Sequence, residues 1–181
     1  MPDSQANPAS SLPAVAIAVS RYNASITDRL LEGALDAYSS RGGDPAAIAI
    51  LDAPGAYELP AISLAAAMSG RFAGVVALGC LIRGQTRHDR YIAQAVANGL
   101  VSVTIATGIP VTFGVLTVET PKQARERAGG DRGNKGADAM SALLDTLAVT
   151  ASIESAAKAG DWSLAGRRIT APDKATAVGE R

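Results

Sequence analysis

A single cysteine, Cys80, in a chain of 181 residues excludes a disulfide framework and a Cys-based zinc site, and suits a reducing compartment. Histidine is equally scarce: His88 is the only one. No spacing of His, Cys, Asp and Glu suggests a metal site, so none is expected. Net charge is missing, since 17 Lys and Arg balance 17 Asp and Glu. That argues against a general nucleic-acid binder, which carries a basic excess. Long apolar runs are missing too. The longest near the start, Ala14 to Val19, falls far short of the roughly 20 residues of a membrane span. No Lys or Arg precedes it to form the positive region of a secretory signal. These absences predict a cytoplasmic protein with no membrane partner. Aromatics are few, two Phe, one Trp and four Tyr, so each one beside a polar motif is a candidate.

What is present is globular. Hydrophobic residues make up 48% and charged residues 19%, a balance that folds rather than stays disordered. The length suits one domain that buries about 70% of its unfolded surface. Residues 1–13, polar and small, read as a flexible arm, 14–159 as the domain, and 160–181 as a mobile tail.

Within the domain, apolar runs of strand length alternate with helical patterns. The runs are Ala14–Val19, Ala46–Leu51, Ala73–Leu78 and Val111–Val118. Continuous rather than alternating apolar character suits strands buried on both faces. Between them, Ile26, Leu30, Leu31, Ala34, Leu35 and Tyr38 make one helical stripe, with Ser25 and Asp28 as a start signal and Gly42-Gly43 as a stop. Pro60–Met68 is a shorter helix, and Tyr91 to Val103 a third. Thr120-Pro121-Lys122-Gln123 opens a fourth with a capping pattern, ending at Gly129-Gly130. A fifth runs from Lys135 into the late 150s. Right-handed crossovers place such strands in one four-stranded parallel sheet between helical layers, a three-layer αβα sandwich of flavodoxin-like type.

Ligands of open α/β sheets bind beyond the carboxyl ends of the strands. Four segments lie there: Ser20–Asn23, Asp52–Glu58, Gly79–Arg90 and Thr112–Val118. The third leaves a buried strand, turns at Gly84 and enters a helix near Thr86. Free N–H groups at a helix start, with a hydroxyl and arginines nearby, suit an anion such as phosphate. His88, in the first turn, can move protons near neutral pH; the segment also reads as a surface helix with a solvated histidine. Glu58 can accept hydrogen bonds from a ligand N–H, and Tyr57, Tyr22 and Phe113 can wall a flat ring. A helix cap with a packed Tyr, and a Phe in the core, are the plainer readings of the same residues. Arg125, Arg127 and Lys135 flank a Gly-rich loop that can complete a phosphate site or present a solvated face. Cys80 reads as a pocket-lining or core residue, with no base beside it.

Together the motifs resemble the lumazine synthase family. They are Ser20-Arg21-Tyr22-Asn23, Ile26–Ala34, Pro54-Gly55-Ala56-Tyr57-Glu58-Leu59-Pro60, Ala77–Gly84, Thr86-x-His88, Phe113–Thr117, Ala124-x-Glu126-Arg127-Ala128-Gly129 and Gly133-Asn134-Lys135-Gly136. They run in order and at family spacing over roughly residues 14–150. The resemblance implies condensation of 5-amino-6-(D-ribitylamino)uracil with 3,4-dihydroxy-2-butanone 4-phosphate, releasing phosphate and water, with no cofactor. By position it implies that Tyr22 stacks on the pyrimidine. Ala56, Tyr57, Glu58, Cys80, Leu81 and Ile82 hold the ring and ribityl chain, and Phe113 arrives from a neighbouring subunit. Gln85, Thr86, Arg127 and Lys135 receive the phosphate, and His88 transfers protons. It also implies a homo-oligomer built from pentamers, with a sixty-subunit shell allowed. The chain departs from the family pattern at Gln85, Arg87, Asp89 and Arg90, which make the surroundings of His88 more polar. Those departures motivate the competing reading, a non-catalytic shell-forming or flavin-binding scaffold. A flavodoxin-like electron carrier fits the strand and helix order but not the histidine and arginine pattern.

Overall fold

A computed structural model describes residues 12–160 and 168–171; the expected arm and tail lie for the most part outside them. The elements are β1 (Val15–Ser20), α1 (Ala24–Ser40), β2 (Ile48–Ala53), α2 (Leu59–Met68), β3 (Gly74–Ile82), α3 (His88–Thr107), β4 (Val111–Val118), α4 (Pro121–Arg127), β5 (Ala128–Gly130), β6 (Gly133–Asn134) and α5 (Lys135–Ala159). The four long strands form one parallel sheet in the order β2-β1-β3-β4. Helices α1 and α5 cover one face, and α2 and α3 the other. This is the expected αβα sandwich. Among the described residues, no helix is long and apolar enough to cross a membrane.

Strand alternation divides the core in two. Val15, Ile17, Val19, Val76 and Leu78 pack toward α1 and α5. Ala16, Ala18 and Ala77 face α2 and α3, alongside Val75. Bulky residues therefore fill one side, and small residues on the other let α2 and α3 approach the strands closely. Buried apolar surface of this kind supplies most of the stabilisation, at roughly 25 cal/mol per Å².

Several boundaries differ from the sequence pattern, each for a local reason. The second strand starts at Ile48 rather than Ala46, because Asp44 accepts a hydrogen bond from the Ala46 N–H at 2.9 Å and winds Pro45–Ala47 into a short 3-10 turn. The third strand runs on to Ile82, since Gly79–Ile82 stay paired with Val115–Val118 of β4. Helix α1 begins one residue ahead of Ser25, which does not cap it. Asn23 stands at the cap in the left-handed conformation, φ 63°, and Asp28 turns instead to Arg21 at 2.6 Å. At α4, Thr120 does cap, but Gln123 returns its bond to the Glu119 N–H, at 2.9 Å, not to the cap residue. The expected stop at Gly129-Gly130 is a two-stranded antiparallel ribbon, β5 with β6.

The Gly133–Gly136 motif has a packing role. Asn134 caps α5, accepting from the Gly136 N–H at 2.8 Å and the Ala137 N–H at 3.3 Å, while its own amide donates to the Arg29 carbonyl of α1 at 2.7 Å. Gly136 then lies so close to α1 that a methyl group there would overlap the Leu30 carbonyl. We expect Gly136→Ala to cost about 3 kcal/mol by overpacking, read as a lower urea midpoint. Gly84→Ala, where an added methyl meets nothing within 4 Å, is expected to shift stability by less than about 1 kcal/mol.

Candidate active site

In this sheet β2 and β3 flank β1 on opposite sides. The chain after β1 leaves on one face and the chain after β2 on the other, so a crevice opens beyond the strand ends. A cavity of about 460 Å³ occupies it, a size suited to a small organic ligand. Tyr22 and Asn23 come from the turn after β1, and Gly55–Glu58 from the turn after β2. Cys80–Ile82 come from the end of β3, Gly84 and Thr86 from the loop beyond it, and His88, Asp89 and Ile92 from α3. Three of the four segments singled out in the sequence thus converge on one hollow.

Local chemistry explains how each side chain gets there. Asn23 occupies a left-handed backbone position that Asn tolerates better than most residues. Its side-chain amide donates to the Cys80 carbonyl at 2.9 Å, tying the end of β1 to that of β3. Pro54-Gly55 turns the chain after β2, and Ala56–Glu58 form one 3-10 turn before α2. Tyr22 and Tyr57 remain 70% and 63% exposed, so both rings are available as walls. Around the rim, Arg21 pairs with Asp28 at 2.6 Å and with Asp52 at 4.0 Å. Arg83 pairs with Glu119 at 2.7 Å. The hydrogen-bonded carboxylate raises the pKa in each case. These arginines link neighbouring loops and are occupied in doing so. Cys80 is buried, and desolvation pushes its thiol up to about 11. It stays protonated at neutral pH, an apolar lining rather than a nucleophile.

The remaining predicted residues lie elsewhere. Gln85 is exposed and does not line the cavity. Phe113, Arg127 and Lys135 line a second, shallower hollow of about 700 Å³ along the edge strand β4 and the start of α5. Phe113 is 45% exposed there. The Lys135 ammonium meets Asp138 at 2.7 Å, and Arg127 donates to the Gln123 carbonyl at 3.2 Å. The cations are confined to one hollow, where Asp138 accompanies them. Among the described residues, the first has Glu58 and Asp89 but no Lys or Arg in its lining, whereas the second holds both cations. Within one chain His88 and Arg127 share no cavity. Five further residues, Asn23, Gly55, Gly84, Asp89 and Ile92, line the first hollow without having been assigned a ligand-binding role from sequence. An Asn directly before a helical stripe was the available signal for Asn23; Ile92 was hidden in an ordinary apolar stripe.

Comparison with known proteins gives a consistent picture. Residues 13–151 match the family described as 6,7-dimethyl-8-ribityllumazine synthase. The chain is 47% identical to the 6,7-dimethyl-8-ribityllumazine synthase of Thermus thermophilus over 74% of its length and 85% of the relative's. It is 49% identical to that of Edwardsiella ictaluri over 77% and 90%. It is also 47% identical to 6,7-dimethyl-8-ribityllumazine synthase 1 of Caulobacter vibrioides over 75% and 88%.

Two stability measurements test this arrangement. An acid whose pKa is higher folded than unfolded keeps its proton in the fold while the unfolded chain loses it, so stability falls as pH rises between the two values. For Cys80 that window runs from the ordinary thiol value to about 11. Wild type is therefore expected to lose about 2 kcal/mol more than Cys80→Ala between pH 7.5 and 10.5; equal losses in urea unfolding would show the thiol is not held protonated. Asn23→Gly and Asn23→Ala both remove the amide bond, but only Ala keeps the backbone strain. Ala is expected to be the less stable by about 1 kcal/mol.

Proposed function

The chain belongs to the 6,7-dimethyl-8-ribityllumazine synthase family, and we propose that its reaction takes place where the first hollow of one copy meets the second hollow of another. The enzyme is a transferase of riboflavin biosynthesis. It condenses 5-amino-6-(D-ribitylamino)uracil with 3,4-dihydroxy-2-butanone 4-phosphate and releases phosphate and water.

The observation that carries the shared site is that Arg127 and Lys135 line a different hollow from His88. A sugar phosphate needs cations and fixed donors, yet the hollow that holds His88 has no Lys or Arg in its lining among the described residues. Arg127 and Lys135 sit with Phe113 on the open edge of the sheet. A second copy bringing that edge against the first hollow supplies both the cations and the missing aromatic wall. Repeating one such contact around a ring is a heterologous interface that closes, and zero net charge at neutrality leaves identical copies no long-range repulsion to overcome. We assign a ring of five copies, with a sixty-subunit shell as its allowed extension, and a cytoplasmic setting.

In this reading Tyr22 and Tyr57 flank the pyrimidine, Ala56 and Glu58 meet its polar edge, and Cys80, Leu81 and Ile82 line the apolar floor. The amine attacks the ketone and water leaves to give an imine. Phosphate is then eliminated, and ring closure expels a second water. Each step relocates a proton, and His88 serves as the carrier. Thr86 and Gln85, with Arg127 and Lys135 of the adjoining copy, stabilise the departing phosphate. Because the two substrates are reactive by themselves, most of the acceleration comes from holding them together.

His88→Ala is expected to slow turnover without abolishing it, and Arg127→Ala to raise KM for the phosphate substrate, in an assay that follows formation of the fluorescent lumazine with both substrates varied. Absence of lumazine from the wild-type chain would favour the non-catalytic scaffold. Mixing the two variants tests the shared site. If each site takes His88 from one copy and Arg127 from the next, random co-assembly restores about a quarter of the sites. A mixture that merely averages the two single variants would place both residues in the same copy's site.

A further inference from the structure

Five buried polar side-chain atoms have no hydrogen-bond partner among the described residues: Ser20 Oγ, Arg41 Nε, Ser63 Oγ, Asp89 Oδ1 and Thr112 Oγ1. Three are hydroxyl oxygens, and Arg41 has its charge met by Asp145 through another nitrogen. Asp89 differs in kind. It is the only carboxylate of the five, and the only one of them on the first hollow; Thr112 lines the second. A buried acceptor oxygen without a donor is costly, and such an atom in a ligand cavity implies a donor that arrives with the ligand.

The surroundings narrow what that donor is. Asp89 lies in the first turn of α3, where the positive end of the helix favours a charged carboxylate without bonding it. The nearby guanidinium of Arg83 is drawn toward Glu119 at 2.7 Å, and the Asn23 amide is engaged by the Cys80 carbonyl. A phosphate ester would be repelled by the carboxylate. A pyrimidine bearing amino groups and a polyol offers many donors and no charge.

On the functional reading above, we propose that Asp89 is a substrate-binding residue that accepts a hydrogen bond from an N–H or hydroxyl of the ribitylaminopyrimidine, and so selects this substrate at the cavity. Rotation about the final torsion of Asp, which is broad, brings either carboxylate oxygen round to the ligand.

The test is equilibrium binding of 5-amino-6-(D-ribitylamino)uracil to the full chain, with urea unfolding and steady-state kinetics on the same preparations. Asp89→Ala is expected to raise Kd for the pyrimidine about tenfold. Asp89→Asn, which keeps an acceptor oxygen, is expected to stay within about threefold. Neither variant should raise KM for the phosphate substrate. Asp89→Ala should keep its ligand-free unfolding constant within about fivefold of wild type, or about 1 kcal/mol, because the helix-end attraction it loses is offset by the unpartnered acceptor it removes; a merely structural carboxylate would cost more. Wild-type binding with an unchanged pyrimidine Kd in Asp89→Ala overturns this inference alone, as does a loss of ligand-free stability beyond about thirtyfold in the unfolding constant, or about 2 kcal/mol, in both variants. Failure of the wild-type chain to bind the pyrimidine overturns the functional reading and this inference with it.

Discussion

The Asn23 amide bridges the two strand ends between which the cavity opens, donating to the Cys80 carbonyl at 2.9 Å. Without it, the turn after β1 and the end of β3 are joined only by their ladder, which stops at the Val19–Leu78 pair. The bond needs Asn23 in the left-handed region, φ 63°, and that same geometry starts α1, whose Ile26 and Thr27 N–H groups both donate to the Asn23 carbonyl. One residue therefore ends a strand, starts a helix and spans a topological switch. Tyr22 before it and Cys80 opposite it take their places on the cavity as a consequence.

Beyond that point, the fold divides the chemistry. The crevice at the sheet's carboxyl end gathers aromatic, apolar and acidic groups, while the β4 edge gathers an aromatic and two cations. A central strand cannot offer both kinds of surface, because its neighbours cover it; an edge strand can, because one side is unpaired. The proposed assembly joins these two surfaces from different copies. Under that proposal assembly and catalysis would follow from one arrangement, since burying the edge strand would also bring cations to His88.

Some of this was legible in the residues. The run Val111–Val118 gives β4 at its observed bounds, because Pro110 and Glu119 punctuate the apolar stretch, although only Gly114–Leu116 of it are buried. The Thr120-Pro121 signal gives the start of α4, since an N-cap acts within a few residues. Signals that depend on partners outside the motif itself were not legible. Ser25 and Asp28 look like a cap, but Arg21 competes for Asp28. Gly79 looks like the end of a strand, but β4 keeps pairing past it. Gly129-Gly130 looks like a helix stop, but Gly133-Asn134 folds back on it. The candidate site divided in the same way. Tyr22, Ala56, Tyr57, Glu58, Cys80, Leu81, Ile82, Thr86 and His88 converge on one hollow, as expected for residues at adjacent strand ends. Gln85 stands outside it, and Phe113, Arg127 and Lys135 line another.

From sequence alone, the alternation of apolar runs with helical stripes determined a parallel αβα sandwich, and the placing of motifs after those runs determined which end of the sheet carries the chemistry. Both follow from burial and strand polarity, which act along the chain. Only the tertiary structure decided that Arg127 and Lys135 line a different hollow from His88, that Asn23 joins β1 to β3, and that one oxygen of the Asp89 carboxylate is buried without a donor among the described residues. Those facts depend on distances between residues far apart in the chain, and no local pattern encodes such distances.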